Sequence, residues 1–109
     1  MSTLTPTPHG DPVFLGNAQV VVRGVRRALA ELLASVNADP SEPQEISRRF
    51  GLDKTLTWKT ARVIREPDPS DAVAHIPRRP SLQLLVTALQ RHGAPADKVS
   101  ALWSAVDAF

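Results

Sequence analysis

The chain has 109 residues, enough for one domain with its own core, and its 42% apolar and 22% charged residues are those of a folded rather than a disordered protein. It has no cysteine, which excludes disulfides, thiolate metal sites and cysteine nucleophiles and agrees with a reducing compartment. The formal net charge of +2 is unevenly spread: between residues 43 and 65, Arg48, Arg49, Lys54, Lys59, Arg62 and Arg65 stand against Glu45 and Asp53, a net +4, whereas residues 67–109 carry four charges of each sign.

No stretch approaches the roughly 18 apolar residues of a membrane span, and the start of the chain lacks the basic-then-apolar order of a signal peptide. A cytoplasmic protein with no membrane association is therefore expected. Residues 1–16, with Pro6, Pro8, Pro12, Gly10 and Gly16 among small polar residues, read as a flexible arm without helix, and the helical domain is expected over 17–109. The arm has no Lys or Arg with which to reach a nucleic-acid groove.

Residues 17–37 place Val21, Val22, Val25, Leu29, Leu32, Leu33 and Val36 at helical spacing, with Arg23, Gly24, Arg27, Glu31 and Ser35 opposite. This predicts a core-forming first helix. Its early valines lower local propensity, so packing must hold its first turns. Arg27 and Glu31, four residues apart, are expected to pair. Arg23, Arg26 and Arg27 either touch phosphate or keep the helix solvated.

Residues 37–40 end that helix, and Ser41-Glu42-Pro43-Gln44 matches a capping box that starts a second helix near Glu42. Ile46 and Phe50 lie on its inner side, with Arg48 and Arg49 on the other. Gly51 supplies the left-handed turn, Leu52 drops inward, and Asp53 caps the next helix. In that third helix, 53–66, a 100° spacing gathers Leu56, Thr57, Thr60, Val63 and Ile64 on the buried side. Thr55, Trp58, Lys59 and Arg62 gather outside, flanked by Lys54 and Arg65.

The order apolar Ile46, small Ser47, apolar Phe50, Gly51, apolar Leu52 and capping Asp53 resembles the helix-turn-helix of bacterial transcriptional regulators. The resemblance covers about 23 residues, with Ser47 in the close-approach slot that is usually alanine. One departure is Thr57, six positions after the turn glycine, where the family usually carries a branched aliphatic residue; Leu56 precedes it, which predicts a slightly rotated third helix. The resemblance implies sequence-specific binding of double-stranded DNA, as the DNA-binding domain of a transcriptional regulator, with helix 53–66 in the major groove. Within the implied surface, side-chain chemistry assigns Lys54, Thr55, Trp58 and Lys59 to the groove and Arg62 and Arg65 to phosphate, with Arg48 and Arg49 as further cations. Trp58 has two readings, a contact to a thymine methyl or sugar and a cover over a neighbouring helix.

Pro67-Asp68-Pro69 breaks the third helix, and Ser70 is expected to cap a short one over 71–75. Nothing there reads as the two-stranded wing of winged relatives. Pro77-Arg78-Arg79-Pro80 reads as an extended basic link, whose arginines either grip phosphate or are solvated. Ser81 is expected to cap a fifth helix with Leu82, Leu85, Val86 and Leu89 on one face, closed by Gly93, Ala94 and Pro95. A sixth, 96–109, aligns Val99, Leu102, Trp103 and Val106. Its run to the last residue predicts either a fragment of a longer chain or an apolar face completed by a partner. The fold class is thus all-α, a bundle of about six helices with a wingless helix-turn-helix, and a homodimer through the two C-terminal helices is expected.

Catalytic chemistry is missing. His9, His75 and His92 lack metal-pair spacing, no glycine-rich phosphate loop is present, and acidic residues are scattered. His92, at a helix C-terminus, reads as structural. A non-enzymatic protein without metal or cofactor is expected. The rival to DNA binding is a helical protein-interaction module, adaptor or antitoxin-like, whose basic face meets an acidic protein.

Overall fold

A computed structural model describes the backbone of residues 11–108 and the side chains of 20–68 and 71–108. Its elements are α1 (Asp11–Ala34), α2 (Pro43–Phe50), α3 (Lys54–Arg65), α4 (Pro69–Val73), α5 (Arg79–Arg91) and α6 (Ala96–Asp107), and no strand occurs among the described residues. The all-α expectation holds. No helix among them is long and apolar enough to cross a membrane.

The first helix begins at Asp11, so the expected non-helical arm is corrected for residues 11–16. Pro12 falls in the first turn, where its missing N–H would have had no partner and its fixed φ already suits a helix. Residues 1–10, with His9, and Phe109 lie outside the described residues. At its other end α1 closes with Asn37 in the left-handed region at φ 57°, Ala38 N–H donating to Leu33 O at 2.9 Å and Asn37 N–H to Ala34 O at 3.1 Å. This pair of bonds satisfies carbonyls that the helix leaves open.

The expected stripe of α1 is the centre of the core: Val22, Val25, Leu29, Leu32, Leu33 and Val36 are buried, whereas Val21 is only half-buried. Around it pack Ile46 and Phe50 of α2, Leu56 and Val63 of α3, Leu82, Leu85, Val86 and Leu89 of α5, and Val99 and Leu102 of α6. The α1 helix packs against α3, α4 and α6, and α2 packs against α3. Gly24 faces α6, where a Cβ would stand 4.0 Å from that of Ala105. On the same side Lys98 Nζ lies 3.1 Å from Glu31 Oε1, and Arg27 pairs with Glu31 at 3.4 Å as expected. The hydrogen bond from Lys98 and then its charge, with Arg27 adding, hold the Glu31 carboxyl below its usual range.

Besides that of α1, three helix starts differ from expectation. The capping box at Ser41 does not form: Asp39 Oδ1 instead accepts the Ser41 hydroxyl at 2.7 Å and the Ser41 N–H at 2.9 Å. With Ser41 engaged, α2 starts at Pro43, and no side chain caps it. These two bonds, and more weakly the charge of Arg65, hold the Asp39 carboxyl below its usual range. Ser70 does not precede α4 but lies inside it, because Asp68 O already accepts from Asp71 N–H at 3.1 Å and Ala72 N–H at 3.0 Å. Ser81 likewise lies inside α5, whose first turn takes in Arg79 and Pro80. Here too a proline suits the turn where N–H groups have no intrahelical acceptor. The link from 77 to 80 is therefore extended only up to Arg78. At the other end of α5, Gly93 at φ 96° closes the helix as expected.

Candidate nucleic-acid interface

Local chemistry sets the angle between α2 and α3. Gly51 adopts φ 67° and ψ 37°, a left-handed conformation that costs a side-chain-bearing residue about 1 kcal/mol or more. Two residues on, Asp53 Oδ2 accepts the N–H groups of Thr55 at 2.9 Å and Leu56 at 3.2 Å, so the first turn of α3 is capped as its sequence predicts. Ser47 is buried and donates its hydroxyl to Leu52 O, which ties α2 across the turn.

The inner face of α3 consists of Leu56, Thr57, Thr60, Ala61 and Val63, all buried, with Ile64 half-buried. Thr57 is 2% exposed, so it occupies the inward position despite its hydroxyl. Its Oγ1 donates to Lys54 O at 3.1 Å, and Thr60 Oγ1 donates to Leu56 O at 2.8 Å; both buried hydroxyls are thereby satisfied within the helix.

Lys54, Thr55, Trp58, Lys59, Arg62 and Arg65 are all exposed. The Lys54 and Lys59 ammonium groups have no ion pair or hydrogen bond among the described residues, which leaves their charge available to an external anion. Arg62 donates to Glu66 at 2.9 Å and lies 5.6 Å from the centre of the Trp58 ring. His75, just past α4, meets Trp58 edge-on at 5.3 Å and 90°. Trp58 is thus held on two sides, by Arg62 and His75, yet remains 48% exposed.

The two arginines of α2 part company. Arg48 pairs with Glu45 and projects outward. Arg49 turns back: it donates to Asn37 O at 2.9 Å and to Val36 O, and it lies 4.7 Å from the centre of the Phe50 ring. It therefore caps the carbonyl end of α1 rather than extending the basic face. Arg26 makes the matching contact in the other direction, donating from Nε to Val63 O at 3.1 Å and from Nη2 to Glu66 O at the end of α3. Of the two arginines in the basic link, Arg79 pairs with Asp107 and covers Trp103 at 4.9 Å, whereas Arg78 is exposed without such a partner among the described residues.

Gln44 is not among the expected contact residues, because a capping box turns its side chain back toward Ser41, yet it is exposed beside them. It joins Pro43, Lys54, Thr55, Thr57 and Trp58 around a cleft of about 320 Å³ between the starts of α2 and α3. An exposed carboxamide there can both donate and accept. His92 caps α5 as expected, with Nδ1 3.0 Å from Ala88 O and its ring 4.7 Å from Phe50. No cluster of metal-ligating side chains occurs among the described residues. Comparison with known protein families, with curated proteins and with solved structures yields no match to this chain.

Proposed function

We propose that the protein binds double-stranded DNA as the DNA-binding domain of a transcriptional regulator, with α2 and α3 acting as a wingless helix-turn-helix and α3 entering the major groove. The observation that carries this reading is one helix with two unlike faces. Its inner side is buried to the level of Thr57, while Lys54, Thr55, Trp58 and Lys59 stand exposed on its N-terminal half beside Gln44. Unpaired cations supply phosphate affinity, and short polar and aromatic groups at the start of a helix are the types that reach base edges. Arg62 and Arg48 contribute from the flanks, each leaving an intramolecular carboxylate to do so, and Arg65 lies at the far end of α3.

A homodimer on a two-fold site belongs to the same reading. It would have to use the outer faces of α5 and α6, because their inner stripes pack in the monomer's own core. The test is titration with duplex DNA over a salt series. Binding should weaken with a log-log slope of about −0.9 per phosphate neutralised, and Lys59→Ala and Arg62→Ala should each lower affinity and flatten the slope. Affinity indifferent to salt and to both substitutions would refute the proposal and favour a protein partner for the basic face.

A further inference from the structure

A second basic feature lies beside α3, sharing Thr55 and Lys59 with its exposed face and adding residues from outside α2 and α3. A groove of about 530 Å³ runs between the first half of α3 and the start of α5. Its apolar lining includes Leu56, Ile76 and Leu84, and its cations are Lys59 from α3 and Arg78 from the residue preceding α5. Asp53 is the acidic residue that lines it, and its Oδ2 is engaged by the N–H groups of Thr55 and Leu56. Both cations lack ion pairs and hydrogen bonds among the described residues. Leu84 is 64% exposed, an uncovered aliphatic surface next to two free positive charges.

We infer that this groove is a second phosphate-binding station, in which Arg78 and Lys59 hold a sugar-phosphate segment of the duplex that α3 enters, with the sugar against Leu84. The inference rests on the DNA-binding reading and adds to it a contact from outside α2 and α3. Its chemistry is that of a backbone clamp: guanidinium and ammonium groups bind phosphate oxygens whatever the base, and deoxyribose carbons pack on aliphatic surface. A contact on the α5 side of α3, with Gln44 and Arg48 on the α2 side, would grip backbone on both sides of the inserted helix and fix its orientation. The neighbouring Arg79 does not line this groove; its guanidinium pairs with Asp107 and lies over Trp103.

The test compares Arg78→Ala, Arg78→Lys and Arg79→Ala with the parent chain, on a random-sequence duplex of about three helical turns. Loss of the Arg78 charge should reduce the salt slope by about one and weaken binding about equally on every sequence tried. Arg78→Lys should restore the slope, and Arg79→Ala should leave it unchanged at temperatures where circular dichroism shows the chain folded. If Arg78→Ala keeps the parent slope while Lys59→Ala and Arg62→Ala flatten it, the second station is overturned and the DNA reading stands. If none of the three changes the slope, both fall together.

Discussion

At the scale of single residues, two glycines make opposite demands on the backbone. Gly51 is left-handed at φ 67°, with nothing within 4 Å of where a Cβ would sit. Any penalty for a side chain there comes from the backbone conformation and not from a clash, so Gly51→Ala should destabilise the fold by about 1–2 kcal/mol. Gly24 is helical, and an added Cβ would meet Ala105 at 4.0 Å, an ordinary contact. Gly24→Ala should therefore stabilise by about 0.5–1 kcal/mol through reduced backbone entropy in the unfolded chain. Urea unfolding of the two variants checks the pair; a destabilised Gly24→Ala would show that α1 and α6 approach more closely than described. The role of Gly51 is legible in the sequence because its causes are local, a short helix ending and Asp53 two residues on. The approach at Gly24 is not, since it depends on a helix some eighty positions later.

Among elements, legibility again follows sequence distance. Gly51 and Asp53 act on N–H and C=O groups within a few residues, and their expected geometry is found. Ser41 fails as a cap because its hydroxyl is turned toward Asp39, to which it donates, instead of accepting from the N–H groups of α2, and two serine caps fail because prolines allow the helices to begin earlier. Arg26 and Arg49, which tie the ends of α3 and α1, act across 37 and 12 positions and read in the sequence only as surface cations. The tie between α1 and α6 has a pH signature. Glu31 binds its proton more weakly in the folded chain, chiefly through the hydrogen bond from Lys98. Its stabilising contribution is complete above the ordinary carboxylate value, about 4.3, and is lost as pH falls through the lower folded value. The melting-temperature gap between the parent and Lys98→Ala should therefore narrow from pH 7 to pH 3. A gap of constant width would mean that the pair does not couple the helices.

For the whole molecule, the question is whether the basic face depends on α6, which supplies none of its residues. The inner side of α3 rests on α1, and α1 in turn rests on α6, where Leu102 is fully buried. One continuous core from Leu56 to Leu102 predicts one cooperative unit, so damage at α6 should unfold α3 at the same temperature. Trp58 on α3 and Trp103 on α6 provide reporters at the two ends, in Trp103→Phe and Trp58→Phe chains respectively. Leu102→Ala should lower stability by about 2–5 kcal/mol, as expected for a buried leucine. In a domain near 100 residues each kcal/mol shifts the melting temperature by about 4–8 °C, so the shift is readily measured. The two reporters should move together, and if the basic face binds DNA as proposed, the Leu102→Ala chain should keep the parent affinity well below the transition, because no residue of that face has changed. A Trp103 transition that precedes the Trp58 transition would divide the core in two and leave α3 supported by α1 without α6.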